Sequence, residues 1–164
     1  MTAPASYAET IASDVFAQMA DMPDGTWAVQ GYNAAFQRMY ISDLEDLMPA
    51  GDPASQFQLV LAPIGDDYER TGWGAARITT SLGMLFNIAV KTADGEVTDP
   101  NIQAYERFVD QVCTWLIGAR KFADVWSAGK PQPIKGDHYN EHLYGKSELH
   151  IPVLVDFFSD PGGL

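Results

Sequence analysis

His138-Tyr139-Asn140-Glu141-His142 has the spacing of a zinc hydrolase, two imidazoles one helical turn apart with Glu141 placed to activate a water. That chemistry needs a helix at the motif and a further acidic ligand well downstream. Pro131, Pro133, Gly136 and Gly145 crowd the segment into loop, and a final strand occupies most of the remaining chain. Two exposed loop histidines, with no metal, are the expected reading. Gly72-Trp73-Gly74-Ala75-Ala76-Arg77 opens like a dinucleotide loop but puts Arg77 where the third glycine belongs, and no helical pattern comes after it. No serine sits in a G-x-S-x-G elbow. Cys113, one helical turn past Val109 and beside Val112, reads as a buried structural thiol. Asp66, Asp67 and Glu69 imitate a carboxylate pair, but Gly65 and Arg70 beside them describe a solvated turn. No catalytic, cofactor-binding or metal-binding residue is expected.

One group is left over. Trp73 lies in a Gly-rich polar connection flanked by Arg70 and Arg77, and tryptophan and arginine are favoured at protein–protein hot spots. The competing reading folds Trp73 back onto its own sheet. Trp126 and the Tyr139–Tyr144 stretch pose the same question with less force.

The elements that must carry these residues emerge from apolar spacing. Ser6 with Glu9 has the form of a capping box, and Tyr7, Ile11, Val15 and Met19 repeat every four residues behind it. Met22-Pro23-Asp24-Gly25 stops that helix. A loop from Trp27 leads into a strand placed at Phe36–Ile41. Gln56–Ala62 alternates with Phe57, Leu59 and Leu61 inward, and Pro63 is expected to end it. Pro63–Thr80 then reads as a long connection, or as two strand extensions forming an arm. Leu82, Met84, Phe86, Ile88 and Val90 share one face of a strand, and Asp99-Pro100 starts a helix carrying Ile102, Tyr105, Val109, Val112 and Leu116. Gly118 is a C-cap, Phe122, Val125 and Trp126 a short buried stretch, and Gly129–Gly145 irregular. Glu148–Phe158 is a last strand in which Pro152 argues for an edge position or a bulge.

An oily sheet face and oily helix faces must cover each other. The expectation is one α+β domain over residues 1–164, with flexible ends at 1–5 and 160–164. It has a mainly antiparallel sheet of about four strands, helices packed on one face and the order α-β-β-β-α-β, with neighbouring early strands as hairpin partners. A chain of 164 residues buries enough surface to need no disulfide, and its single cysteine fits a reducing compartment. Met1–Phe16 carries acids and no Lys or Arg, unlike a secretory signal, and no apolar run is long enough to span a membrane. With 22 Asp+Glu against 10 Lys+Arg, the net charge of -12 excludes tight nucleic-acid binding. It fits either solubility through self-repulsion or a surface that sits near DNA without holding it.

The order of features resembles the tail-terminator (tail-completion, or neck) proteins of long-tailed bacteriophages. It is carried by a strand ending in Ala62-Pro63, a polar loop with Glu69-Arg70, a long strand closing on Val90-Lys91 and an acidic turn into the helix Pro100–Ile117. Tyr139–Leu143 then runs into the final strand Glu148–Phe158, so the likeness spans Phe36 to Asp160. The resemblance implies a structural virion protein with no enzymatic activity and no cofactor. Such a protein forms a ring, by analogy a hexamer, at the head-proximal end of the tail tube, ends tube polymerisation and joins tail to head. Its partners would be its own copies, the tail tube protein and head–tail connector or stopper proteins. Genomic DNA would pass through the lumen unbound, and no membrane is involved. Assembly would occur in the host cytoplasm and the product would sit at the virion's head–tail junction. Glu69, Arg70, Trp73, Arg77 and the edge around Pro152 would supply subunit or partner contacts by side-chain anchoring or strand addition. Alternatives are a small-ligand-binding α+β domain and another neck or minor tail component.

Overall fold

The computed structural model describes residues 4–29, 31–36, 57–89, 99–118, 120–133 and 148–159. Among these residues, two helices and six strands occur in the order α1 Tyr7–Ala20, β1 Tyr32–Phe36, β2 Phe57–Gly72, β3 Ala75–Ala89, α2 Asp99–Leu116, β4 Trp126–Ala128, β5 Gln132–Pro133, β6 Glu148–Ser159. The protein is α+β.

α1 begins where its capping chemistry dictates. The Glu9 amide donates to Ser6 Oγ at 3.2 Å, and the Ser6 amide donates to Glu9 Oε2 at 2.7 Å. Its buried stripe is Ala8, Ile11, Ala12, Val15 and Met19. Past Asp21 the chain turns at Pro23–Thr26, with Gly25 at φ 85°. α2 starts at Asp99, as the Asp-Pro pair predicts, and buries Tyr105, Phe108, Val109, Val112, Trp115 and Leu116. The Gly118 amide closes its end on the Trp115 carbonyl at 3.2 Å.

The strands form one sheet in the order β1-β2-β3-β6-β4, with β5 also paired to β6. Register places Leu59 beside Phe86 and Ile151, and Leu61 beside Met84 and Val153, on a single face. Those residues join the buried faces of α1 and α2 in one core. Both helices therefore cover the same side of the sheet. Each such side chain fully removed from water contributes about 1.5–3 kcal/mol. An aromatic chain runs through this core from β3 to β6: Phe86 to Phe108 at 5.6 Å, Phe108 to Trp27, Trp27 to Trp115, Trp115 to Phe122, and Phe122 to Phe157 at 5.7 Å. Most of these pairs are edge-on, the arrangement ring quadrupoles prefer.

Tyr105 pins α2 to the sheet by donating its hydroxyl to the Phe86 carbonyl at 2.7 Å. Burial pushes its pKa well above the ordinary value of 10.0; the Ile151 backbone amide opposes that rise and Glu106 adds to it. Burial also raises Tyr32, to a lesser degree. Between α2 and β4, Phe122 bridges to Trp126, and Ala123 and Asp124 take positive φ of 45° and 68°. Asp14 of α1 holds that turn by accepting from the Ala123 amide at 2.7 Å.

Four expectations are corrected. The sheet has six strands, because the buried Phe122–Trp126 stretch and the segment after Gly129 each supply a short one against β6. The sheet is mixed: β1 runs parallel to β2, with Tyr32 opposite Phe57, so those two are not a hairpin. A parallel pair needs a crossover of a dozen or more residues, which the chain from 37 to 56 is long enough to make. The strand placed at Phe36–Ile41 falls at Tyr32–Phe36, and residues 37–41 lie outside the described residues. Pro63 does not end β2, which continues to Gly72. The proline sits at a register shift two residues past the last β1 pair, a place that tolerates a missing amide.

The reverse face is less wet than strand alternation implies. Val60, Ala62 and Leu85 are buried there, outside the main cluster.

Candidate functional site

β2 and β3 outrun the sheet. The β6 ladder ends at Thr79–Phe158, and the Ile78 amide caps it by donating to the buried Ser159 Oγ at 2.9 Å. Beyond that point, among the described residues, β2 and β3 pair only with each other, from Tyr68–Ile78 to Gly72–Ala75. Four more steps along β3 carry this two-stranded arm about 14 Å past the last β6 pair. Trp73 and Gly74 form its turn, with Gly74 at φ 72°, a conformation that favours glycine. Arm extension, the second of the two expected forms of Pro63–Thr80, is what the chain adopts.

Register decides which side chains share each face of the arm. In the body of β2 the odd residues Leu59 and Leu61 point to the helix side. The shift between Pro63 and Gly65 adds one residue, after which the even residues take over. Tyr68 and Arg70 stand opposite Ile78 and Ala76, and so lie on the helix side. Asp67 and Glu69 lie on the other side, opposite Thr79 and Arg77. All residues from Ile64 to Arg70 are exposed, and Tyr68 is 66% exposed. Trp73 is 98% exposed, which rules out its folding back onto the sheet. Arg70 Cζ lies 5.9 Å from the Trp73 ring centroid, at the outer limit of cation–π contact.

Four of the five residues singled out in the sequence, Glu69, Arg70, Trp73 and Arg77, thus meet on one arm. Pro152 does not join them. It pairs with Leu85, eight residues from Arg77 along β3 or about 27 Å. β6 is flanked on its far side by β4 at Phe157–Ser159 and by β5 at Val153–Leu154, so Pro152 stands just past the end of β5, with β3 as its one strand partner among the described residues, an edge position as expected. Tyr68 belongs to the arm and is missed by sequence reasoning. The spacing of Tyr68 and Arg70, two residues apart, is the available signal, masked when Pro63 is read as a strand end.

The other chemical candidates have plain placements. The Gly72–Arg77 stretch is a hairpin tip followed by a strand, which excludes a dinucleotide loop. Asp66, Asp67 and Glu69 are exposed on β2, not in a turn. Cys113 is half-buried on α2 against the core. His138–His142 lies outside the described residues. Among the described residues no group of three or more His, Cys, Asp or Glu could hold a metal ion, and no helix is long and apolar enough to cross a membrane.

The site is a helix-backed sheet whose exposed arm carries Trp73 beside Arg70. No protein-family model matches the chain, and no curated protein matches it in sequence.

Proposed function

We propose that this chain is a structural, non-enzymatic virion protein of the tail-terminator type, a ring subunit that ends tail-tube growth and joins the tail to the head connector. One observation carries the reading: Trp73, 98% exposed at the tip of an arm that reaches past its own sheet. A two-stranded ribbon wet on both faces is marginally stable alone, and a bare tryptophan beside arginine and tyrosine is the composition of a binding hot spot. Such an arm gains its stability when a neighbour covers it.

A ring subunit needs two different, complementary side surfaces, since head-to-tail contacts close only at the right rotation. The arm supplies one of them. One ring face would copy the tube's stacking surface and the other would not, so growth stops. A lumen sharing the chain's net charge of -12 would let DNA pass without adhering. Adding the purified protein to polymerising tail tube protein should arrest growth and leave a ring on tube ends in negative stain. Unchanged tube lengths with bare ends would remove the role.

A further inference from the structure

We propose that the arm tip of one subunit seats in a groove on α2 of the next copy, between the Thr26–Trp27 turn and the outer face of the helix. This rests on the reading of the arm as a self-assembly contact and names its receptor. The groove is lined by Thr26, Trp27, Asp110, Gln111, Thr114 and Trp115, and its surface is almost wholly apolar. Its volume is about 380 Å³, within the range of roughly 300–1,000 Å³ that clefts for ligand groups occupy. Its walls are fixed. Trp27 Nε1 donates to the Met19 carbonyl at 3.1 Å, the Ala28 amide donates to Gln111 Oε1 at 2.7 Å, and the two indoles meet edge-on at 5.7 Å. Exposed Ile117, seven residues after Asp110, lies just past the end of the helix.

The match is chemical on two counts. An aromatic floor with one carboxylate on its rim suits an indole carried beside a guanidinium, and Trp73 and Arg70 are that pair. Charge agrees as well. The chain carries 22 acids against 10 bases, yet the tip from Glu69 to Arg77 holds two arginines and one acid. Among the described residues, Arg107, one turn before Asp110, and Arg120, stacked 5.0 Å from the Trp115 ring, do not line the groove. The arm does not fill this groove within its own subunit, since Trp73 is bare. Arm and groove are different surfaces of one chain, which is what a head-to-tail contact requires.

Charge exchange tests the pairing, since Arg70 and Asp110 are both exposed and their replacement leaves the core intact. Self-association is measured by sedimentation velocity for the wild type, Arg70→Asp, Asp110→Arg and the double variant. Each single change should weaken association by about tenfold or more, and the double should recover to within about threefold of wild type. Loss with Arg70→Asp but not with Asp110→Arg would overturn the groove while leaving arm-driven assembly standing, as would two losses without recovery. A wild type that never self-associates would overturn both.

Discussion

Tyr105 shows how one side chain joins two layers. Replacing it with phenylalanine keeps the ring but removes the hydroxyl that donates to the Phe86 carbonyl, at a cost of about 0.5–1.5 kcal/mol. The same change alters the response to alkali. Because burial raises the folded-state pKa above the unfolded one, the stabilisation from the neutral phenol is complete below about pH 10 and fades as pH climbs through the folded value. Urea melts at about pH 9 and about pH 11 should show a smaller loss in Tyr105→Phe than in wild type. Asp14 is a second single-residue joint. Its carboxylate accepts from Gln18 Nε2 and from the Ala123 amide, holding the left-handed Ala123–Asp124 turn against α1. Asp14→Ala should lower stability by about 1–2 kcal/mol in the same melts. Neither joint is legible in the sequence. Tyr105 can be assigned to an apolar helix face, but its hydroxyl partner is a carbonyl nineteen residues away. Nothing local to Asp14 points to a turn 109 residues on.

At the scale of elements, local chemistry is readable and pairing is not. The Ser6 capping box, the stop at Met22–Gly25, the Asp99-Pro100 helix start and the inward alternation of Leu82, Met84 and Phe86 all appear where spacing puts them. Those signals act within four residues of chain, and capping and periodicity are local. The pairing of β1 with β2 escapes such signals because parallel and antiparallel partners look alike from within one strand. β2 runs past its expected end because a register shift absorbs the proline that would otherwise terminate it. The same shift decides the candidate site: counted straight on from Leu61, the helix side of the arm would show Asp67 and Glu69, not Tyr68 and Arg70. The arm is also separable from the core. Excising Glu69–Arg77 and joining Tyr68 to Ile78 through Asn-Gly removes no residue of the buried cluster. The shortened chain should melt within about 4 °C of wild type, equivalent to roughly 1 kcal/mol at this size, and should not self-associate. A large fall in Tm would show that the arm is structural.

The whole molecule is an acidic body with a locally basic, aromatic extension, and that asymmetry is what suggests assembly. Its net charge of -12 repels other copies at long range, so any association must come from short, complementary contacts that desolvate aromatic surface. Only the arm tip, among the described residues, presents a nearly fully exposed tryptophan. The measurement that tests this account most directly is sedimentation velocity of wild type against Trp73→Ala, with negative-stain images of the peak fractions. Wild type should give one closed ring species, a hexamer by analogy, while Trp73→Ala sediments as a folded single chain. Wild type that remains a single chain, or rings that persist in Trp73→Ala, would contradict it.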